Sequence, residues 1–110
     1  MFMTLTSLDY NLNVSDNAEQ DLESIITYIA EKLAAPVAAA TFSDAVYDCY
    51  DNLESDPYMY ESCRDAKLKK EGYRRAVIKN YILVYKVNDK TKTVTVHRFF
   101  YGRQDYFGLV

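Results

Sequence analysis

Apolar side chains change their spacing along this chain, from helical spacing in the first half to strand-like alternation in the second. A short alternation comes first, where Tyr10, Leu12 and Val14 are separated by asparagines. This pattern predicts a strand over residues 10–14 with one buried face. Residues 1–9 are interpreted as an N-terminal extension.

Two amphipathic helices are predicted to follow. Asp16 is suited to the N-cap of the first, with Glu19 three residues on as in a capping box. Pro36 is suited to the first position of the second helix, and Ser55-Asp56-Pro57 to its end. The predicted buried stripe of the second helix is Phe42, Val46, Cys49 and Leu53. Because only about three residues separate the helices, we expect an antiparallel hairpin.

Three strands then read as a meander, because β-branched and aromatic residues recur between short polar turns. The predicted strands are Tyr73–Ile78, Tyr81–Val87 and Thr93–Tyr101. The sequence therefore predicts an α+β domain: an N-terminal strand, a helix hairpin and a three-stranded antiparallel meander, with the helices packed on one sheet face. One domain is expected over residues 10–110.

Size and composition limit the classes of protein to consider. The chain has 110 residues, enough for one core, and no apolar run approaches the ~18 residues of a membrane span. Cys49 and Cys63 form no CxxC pair and are interpreted as buried structural thiols, so a cytoplasmic location is expected. His97 has no second metal ligand at a suitable spacing, and no metal or cofactor is expected.

Charge is divided unevenly between the two halves of the chain. Residues 1–60 carry 11 acids and one base, a net of −10, whereas residues 61–110 carry 12 bases and 5 acids, a net of +7. Such asymmetry favours a polyanion or an acidic partner at the C-terminal half. The alternative is that two oppositely charged layers attract each other.

Cations and aromatic residues are interleaved in the predicted sheet. Cations among rings are typical of single-stranded RNA binding, where phosphates meet Lys or Arg and bases stack on the rings. The alternative is that the aromatic residues are core, with Tyr81, Leu83 and Tyr85 packed under the helices, and that the cations only solubilise strand edges. The candidate residues for nucleic-acid or partner binding are Lys67, Lys69, Lys70, Arg75 and Arg98.

Catalytic motifs of known spacing are absent from the sequence: there is no Gly-rich phosphate loop and no Ser or Cys with a plausible His partner. Arg, Lys and Tyr could still cleave RNA, because the substrate's own 2′-OH can attack the adjacent phosphate. The protein would then need only to orient that attack, stabilise the charge and move protons.

Several stretches, in this order and spacing, resemble RelE/ParE-type toxins over about residues 10–106. They are the strand 10–14, then Ala18, Asp21-Leu22, Ile25 and Tyr28-Ile29, then Lys67-Leu68-Lys69, Gly72-Tyr73-Arg74, Asn80-Tyr81 and Val84-Tyr85, and the ending Phe100-Tyr101-Gly102-Arg103-Gln104-Asp105-Tyr106.

The resemblance implies a growth-inhibiting toxin of a type II toxin–antitoxin pair, often associated with plasmid stabilisation and silenced by a cognate antitoxin. It leaves two mechanisms open, and a third possibility is a decayed toxin that retains only antitoxin binding. RelE-like members enter the ribosome and cut mRNA as metal-independent endoribonucleases, whereas ParE-like members bind and poison DNA gyrase and have no known active site.

Residue roles follow from the same resemblance. Arg74, or its neighbour Arg75, matches the strand cations that hold mRNA, and Arg103 matches an arginine that stabilises the scissile phosphate. Tyr106 or Tyr101 would handle protons, and Tyr101 stands where several members have His. Ile82 departs from the pattern, because the nucleases place a phosphate-binding arginine there. The implied catalytic set is Arg103, Tyr101, Tyr106 and Arg74.

Overall fold

A computed structural model describes residues 9–102 of the chain. The predicted N-terminal extension, apart from Asp9, lies outside these residues, as do Arg103 and Tyr106. Within residues 9–102, no helix combines the length and the apolar character needed to cross a membrane.

The order of helices and strands is the one predicted from hydrophobic spacing, with one addition. A short third helix, α3, lies between the helix hairpin and the meander, where the sequence pattern indicated only a loop. The bounds are β1 Asn11–Val14, α1 Asp16–Thr27 continued by a π-helical turn Tyr28–Lys32, α2 Pro36–Ser55, α3 Ala66–Lys70, β2 Tyr73–Ile78, β3 Tyr81–Asn88 and β4 Thr93–Tyr101.

One four-stranded sheet is formed in the order β1-β4-β3-β2. The last three strands pair antiparallel, as predicted for a meander, and β1 pairs parallel with β4. A bulge between Val84 and Tyr85 shifts the register between β3 and β4. The predicted α+β fold is confirmed.

Ser15, rather than the predicted Asp16, caps the first helix. Ser15 is extended, and its hydroxyl accepts a hydrogen bond from the Ala18 amide at 3.0 Å while donating to the His97 carbonyl at 2.9 Å. The prediction was one residue late because Asp16 is also a good capping residue. Ser15 therefore caps α1 and also bonds the start of that helix to strand β4.

The helices cover one face of the sheet and form the main core. Phe42, Val46, Cys49 and Leu53 are all buried, which confirms the predicted stripe of α2. Leu83 and Tyr85 of β3 are fully buried beneath them, and Tyr81 packs against the same cluster. The core interpretation of these three residues is therefore confirmed.

A second, smaller cluster closes part of the opposite sheet face. Ile82 and Val84 of β3 and Phe100 of β4 pack there against Leu68 of α3. The Asp65 carboxylate caps α3 by accepting from the Leu68 amide at 3.0 Å. Cys63 is buried in the same cluster, and both cysteines are free and buried, as predicted.

Helix α1 completes the edge of β4 beyond the point where β1 ends. The pairing of β1 stops at Val14, opposite Val96. Further along, the Asp21 carboxylate accepts hydrogen bonds from the Phe99 amide at 3.0 Å and from Arg98 Nε at 2.7 Å. The Asp21 side chain thus accepts the backbone hydrogen bond that a neighbouring strand would otherwise accept from this edge of β4.

Candidate nucleic-acid or partner interface

The adjacent arginines of β2 lie on opposite faces of the sheet. Arg74 pairs with Tyr85, whose side chain faces the helices, and Arg75 pairs with Val84, which belongs to the cluster on the other face. Successive side chains of a strand alternate between faces. Arg75 is therefore the arginine on the face away from the helix hairpin.

Arg74 is held by the segment that follows α2. Its guanidinium donates to the Tyr60 carbonyl and, at 3.3 Å, to the Tyr58 carbonyl, and it lies 5.1 Å from the centre of the Tyr58 ring. These contacts tie the loop after α2 to the sheet. A role in substrate binding would require them to break.

Arg75 is the buried cation of the opposite face. Only 9% of its side chain is exposed, and its Nη1 donates to a carboxylate oxygen of Glu61 at 3.1 Å. Its Nε is buried and has no hydrogen-bond partner within the described part of the chain. Glu61 also has Arg64 at 3.6 Å, so two cations share one carboxylate oxygen.

A small pocket of about 320 Å³ lies beside Arg75 at the β2–β3 turn. It brings together two of the predicted site residues, Arg75 and Tyr101, and Lys79 also lines it. Val77 and Ile82 supply its apolar wall. The pocket can hold an anionic group next to apolar surface.

Tyr101 stands at the end of β4 with 45% of its surface exposed and its ring 5.5 Å from that of Tyr81. The Gly102 amide then donates to the Asn80 carbonyl at 2.7 Å. A Cβ at position 102 would lie 3.0 Å from that carbonyl oxygen, so the close approach favours glycine. Arg103 and Tyr106, which follow, are outside the described residues.

The other predicted cations are not at this pocket. Lys67, Lys69 and Lys70 are exposed on α3 and do not line it. Arg98 is paired with Asp21 on α1, and that hydrogen bond raises the pKa of Arg98. The structure thus brings together Arg75 and Tyr101 but not Arg74, Arg98 or the lysines of α3.

A larger apolar groove of about 930 Å³ adjoins the pocket, and the sequence analysis missed it. It runs between the end of the helix hairpin and the β2–β3 turn, and Val37 (78% exposed), Leu33 and Tyr28 form its most exposed wall. Leu33 and Val37 flank the connection between the helices. Two apolar residues at the exposed tip of a helix hairpin were the feature of the sequence that could have predicted this groove.

A tyrosine–carboxylate cluster lies near the β3–β4 turn. Asp89 accepts hydrogen bonds from the hydroxyls of Tyr10 at 2.8 Å and Tyr58 at 2.6 Å. These bonds lower the pKa of Asp89 and raise that of Tyr58 to about 12. The cluster joins three segments of the chain, and its raised tyrosine pKa makes Tyr58 a poor proton donor near neutral pH.

His97 lies half-buried near the β4 bulge. Its ring is 5.2 Å from that of Tyr73 in an edge-on contact. Burial, and secondarily the charge of Lys86, lowers the pKa of His97 below its usual 6.5. The imidazole is therefore neutral at physiological pH.

The family model described as ParE toxin of type II toxin–antitoxin system, parDE, matches residues 12–106. A comparison with curated proteins found no significant match.

Solved structures share the fold at low sequence identity. The chromosomal ParDE toxin–antitoxin system from P. aeruginosa superposes with a TM-score of 0.65 at 14% identity, covering 84% of this chain and 95% of that one. The RelBE2 toxin–antitoxin complex from Mycobacterium tuberculosis gives 0.59 at 20%, covering 84% and 98%. The isolated E. coli RelE toxin gives 0.55 at 17%, covering 88% of each chain.

Proposed function

The chain belongs to the ParE toxin family and is the toxin of a type II toxin–antitoxin pair, and from this premise we propose that it stops growth by binding a protein target, DNA gyrase, without cutting RNA. Its surface would engage gyrase directly. The activity then depends on shape and charge complementarity and requires no proton transfer.

The observation that carries this proposal is the state of position 82. Ile82 is 5% exposed and packed in the second cluster, where the resemblance to RelE-like nucleases calls for a phosphate-binding arginine. Of the other candidate arginines, Arg74 is bonded to backbone carbonyls and Arg98 to Asp21. Each would have to leave its partner before it could hold a phosphate.

Cytoplasmic action and neutralisation by a cognate antitoxin belong to the same proposal. The solved relatives include a ParDE system and a RelBE2 toxin–antitoxin complex. The basic C-terminal half of this chain fits an inhibitor that is acidic or amphipathic. Such an inhibitor would cover surface that gyrase also requires.

A supercoiling assay with purified gyrase and the purified chain tests the proposal. We expect the toxin to inhibit supercoiling or to trap cleaved DNA, and we expect added antitoxin to restore activity. Full supercoiling at toxin concentrations that stop cell growth would refute gyrase as the target.

A second candidate function, ribosome-dependent mRNA cleavage, is favoured by one observation. Arg75 and Tyr101 line one pocket together with Gly102, the residue immediately before Arg103 in the sequence. In this alternative Arg75 holds the message, Arg103 stabilises the transition state, and Tyr101 or Tyr106 moves protons. Translation in a purified ribosome system, with primer extension along the message, would reveal discrete cuts that disappear in Arg103→Ala.

A further inference from the structure

We propose that the pocket at Arg75 receives an acidic side chain of a protein partner. This side chain replaces Glu61 as the ion-pair partner of Arg75, while apolar residues beside it in the partner fill the adjoining groove. This inference rests on the proposed function insofar as that function makes the toxin a protein-binding one. To that function it adds the chemistry of the segment that is recognised, and it identifies the Arg75–Glu61 ion pair as the contact that must break on binding.

Arg75 already binds a carboxylate from within the chain. Its Nη1 contacts a single oxygen of Glu61 at 3.1 Å, and its Nε remains buried without a partner. An arginine satisfies a carboxylate best through two parallel hydrogen bonds. The single contact with Glu61 is therefore less than Arg75 can make, and a carboxylate that replaces Glu61 from the pocket can bind the guanidinium more completely.

Glu61 can leave Arg75 at little cost. Its side chain is 54% exposed, and Arg64, itself 77% exposed, stands 3.6 Å from the same oxygen. Only the Glu61 end of the pair is open to water, so Glu61 can leave the buried Arg75 when an incoming carboxylate takes its place. On displacement Glu61 would keep Arg64 as its partner, so the exchange leaves no carboxylate buried and unpaired.

The surroundings of the pocket fit a protein segment better than a nucleic-acid chain. The pocket and the apolar groove share Lys79, Asn80, Tyr81 and Tyr101 as a common rim. A segment crossing this end of the sheet would place apolar side chains near Leu33 and Val37 and an acid near Lys79 and Arg75. A phosphodiester chain would gain nothing from the exposed aliphatic wall and would meet few cations here.

The backbone around the groove is held in uncommon conformations. Lys79, which lines the groove, and Ala34, which follows the lining residue Leu33, have positive φ values of 57° and 51°. The π-helical turn Tyr28–Lys32 supplies Tyr28 and Ile29 to the lining. The two positive φ values belong to a helix end and a two-residue turn, where left-handed residues are usual, whereas π-helical turns are frequent at functional sites.

The test uses two blocked tetrapeptides, one of isoleucine, glutamate, leucine and phenylalanine, and the other with glutamine in place of glutamate. Binding to the isotopically labelled full chain is followed by NMR at the Arg75 Nε–H and at the methyl groups of Leu33 and Val37. We expect the glutamate peptide to shift both sets of signals. The glutamine peptide should bind about fivefold more weakly and leave Arg75 unchanged, because its amide carries no charge to pair with the guanidinium.

Glu61→Gln removes the internal competitor and should tighten binding of the glutamate peptide by about fivefold, whereas Glu71→Gln, an exposed acid outside the pocket, should leave the affinity unchanged. Arg75→Gln, which removes the positive charge, should abolish the discrimination between the two peptides. Equal affinities for both peptides would overturn the inference. So would a single-stranded uridine oligonucleotide that shifts Arg75 at lower concentration than the peptide. If gyrase is inhibited but Arg75 does not respond, this inference alone fails.

Discussion

At the scale of single residues, the fold depends on polar side chains that serve two segments at once. Ser15 caps α1 and bonds to β4, and Asp21 holds both the Phe99 amide and the Arg98 guanidinium. Each of these residues lies on or beside α1 and reaches the same strand. The angle between helix and sheet is therefore fixed by hydrogen bonds as well as by packing.

Asp21→Ala should lower the free energy of unfolding by about 2 kcal/mol, because the Phe99 amide and the Arg98 side chain lose an acceptor where water has limited access. Urea denaturation followed by circular dichroism measures the loss. Glu23→Gln, an exposed acid on the same helix, is the control and should change stability by less than about 0.5 kcal/mol. Similar values for the two variants would show that Asp21 has no special role at the strand edge.

Stability should fall as the pH is lowered through about 6.5, because of His97. The folded protein keeps the pKa of His97 below 6.5, so the unfolded chain takes up a proton that the folded chain does not. The loss ends once the pH is below the folded pKa. Urea denaturation at pH 7.5, 6.5 and 5.5 should show this slope in the wild type and not in His97→Gln, and equal slopes would contradict it.

Residue-scale detail was the part of the structure that could be predicted least well from the sequence. Neither the capping position, Ser15 against Asp16, nor the face of Arg74 against Arg75 can be read from spacing alone. A one-residue shift in register exchanges the two faces of a strand, and only the pairing of Arg75 with Val84 decides between them.

At the scale of helices and strands, regular periodicity was sufficient for the long elements. The three meander strands were predicted to within one residue, because their alternation is regular and polar turns separate them. Helix α3 was missed because it has five residues and one buried apolar side chain, Leu68. Its formation depends on the Asp65 cap and on packing against the sheet, neither of which produces a periodic pattern.

The link between the helices offers a test of backbone strain. Ala34 has a φ of 51°, a conformation that costs an L-residue about 1 kcal/mol and costs glycine nothing. Ala34→Gly should therefore leave stability unchanged or raise it by about 0.5 kcal/mol, after the entropy that glycine adds to the unfolded chain.

Ala40→Gly, at an exposed position inside α2, is the matched control and should cost about 1 kcal/mol. Thermal or urea denaturation of both variants provides the comparison. If Ala34→Gly lowers the free energy of unfolding as much as Ala40→Gly does, residue 34 does not adopt the left-handed conformation.

At the scale of the whole molecule, the uneven charge corresponds to two layers. The acidic helix hairpin covers one face of the sheet, and most of the basic residues lie on α3, the strands and their turns. The predicted attraction between layers is realised at Asp21 and Arg98, whereas the lysines of α3 remain exposed. Attraction between the layers thus accounts for Arg98, whereas the exposed lysines of α3 remain candidates for binding an acidic partner.

Ile82→Arg should not create a nuclease by restoring the arginine of RelE-like relatives. Position 82 is buried in an apolar cluster, and a guanidinium there should cost about 3 kcal/mol or more in stability. Val77→Arg, on the same sheet face at 60% exposure, should change stability by less than about 0.5 kcal/mol. A stable Ile82→Arg variant that cuts mRNA would contradict the assignment of position 82 to the apolar cluster.

The proposed toxin acts on a protein target and not on RNA, and the two modes of action differ in their first effect on a cell. The most direct test follows one culture after induction of the toxin, recording a DNA-damage reporter and the rate of protein synthesis by pulse labelling. If the toxin poisons gyrase, the damage response should rise while protein synthesis continues at its initial rate. An immediate stop in protein synthesis with no damage response would contradict it.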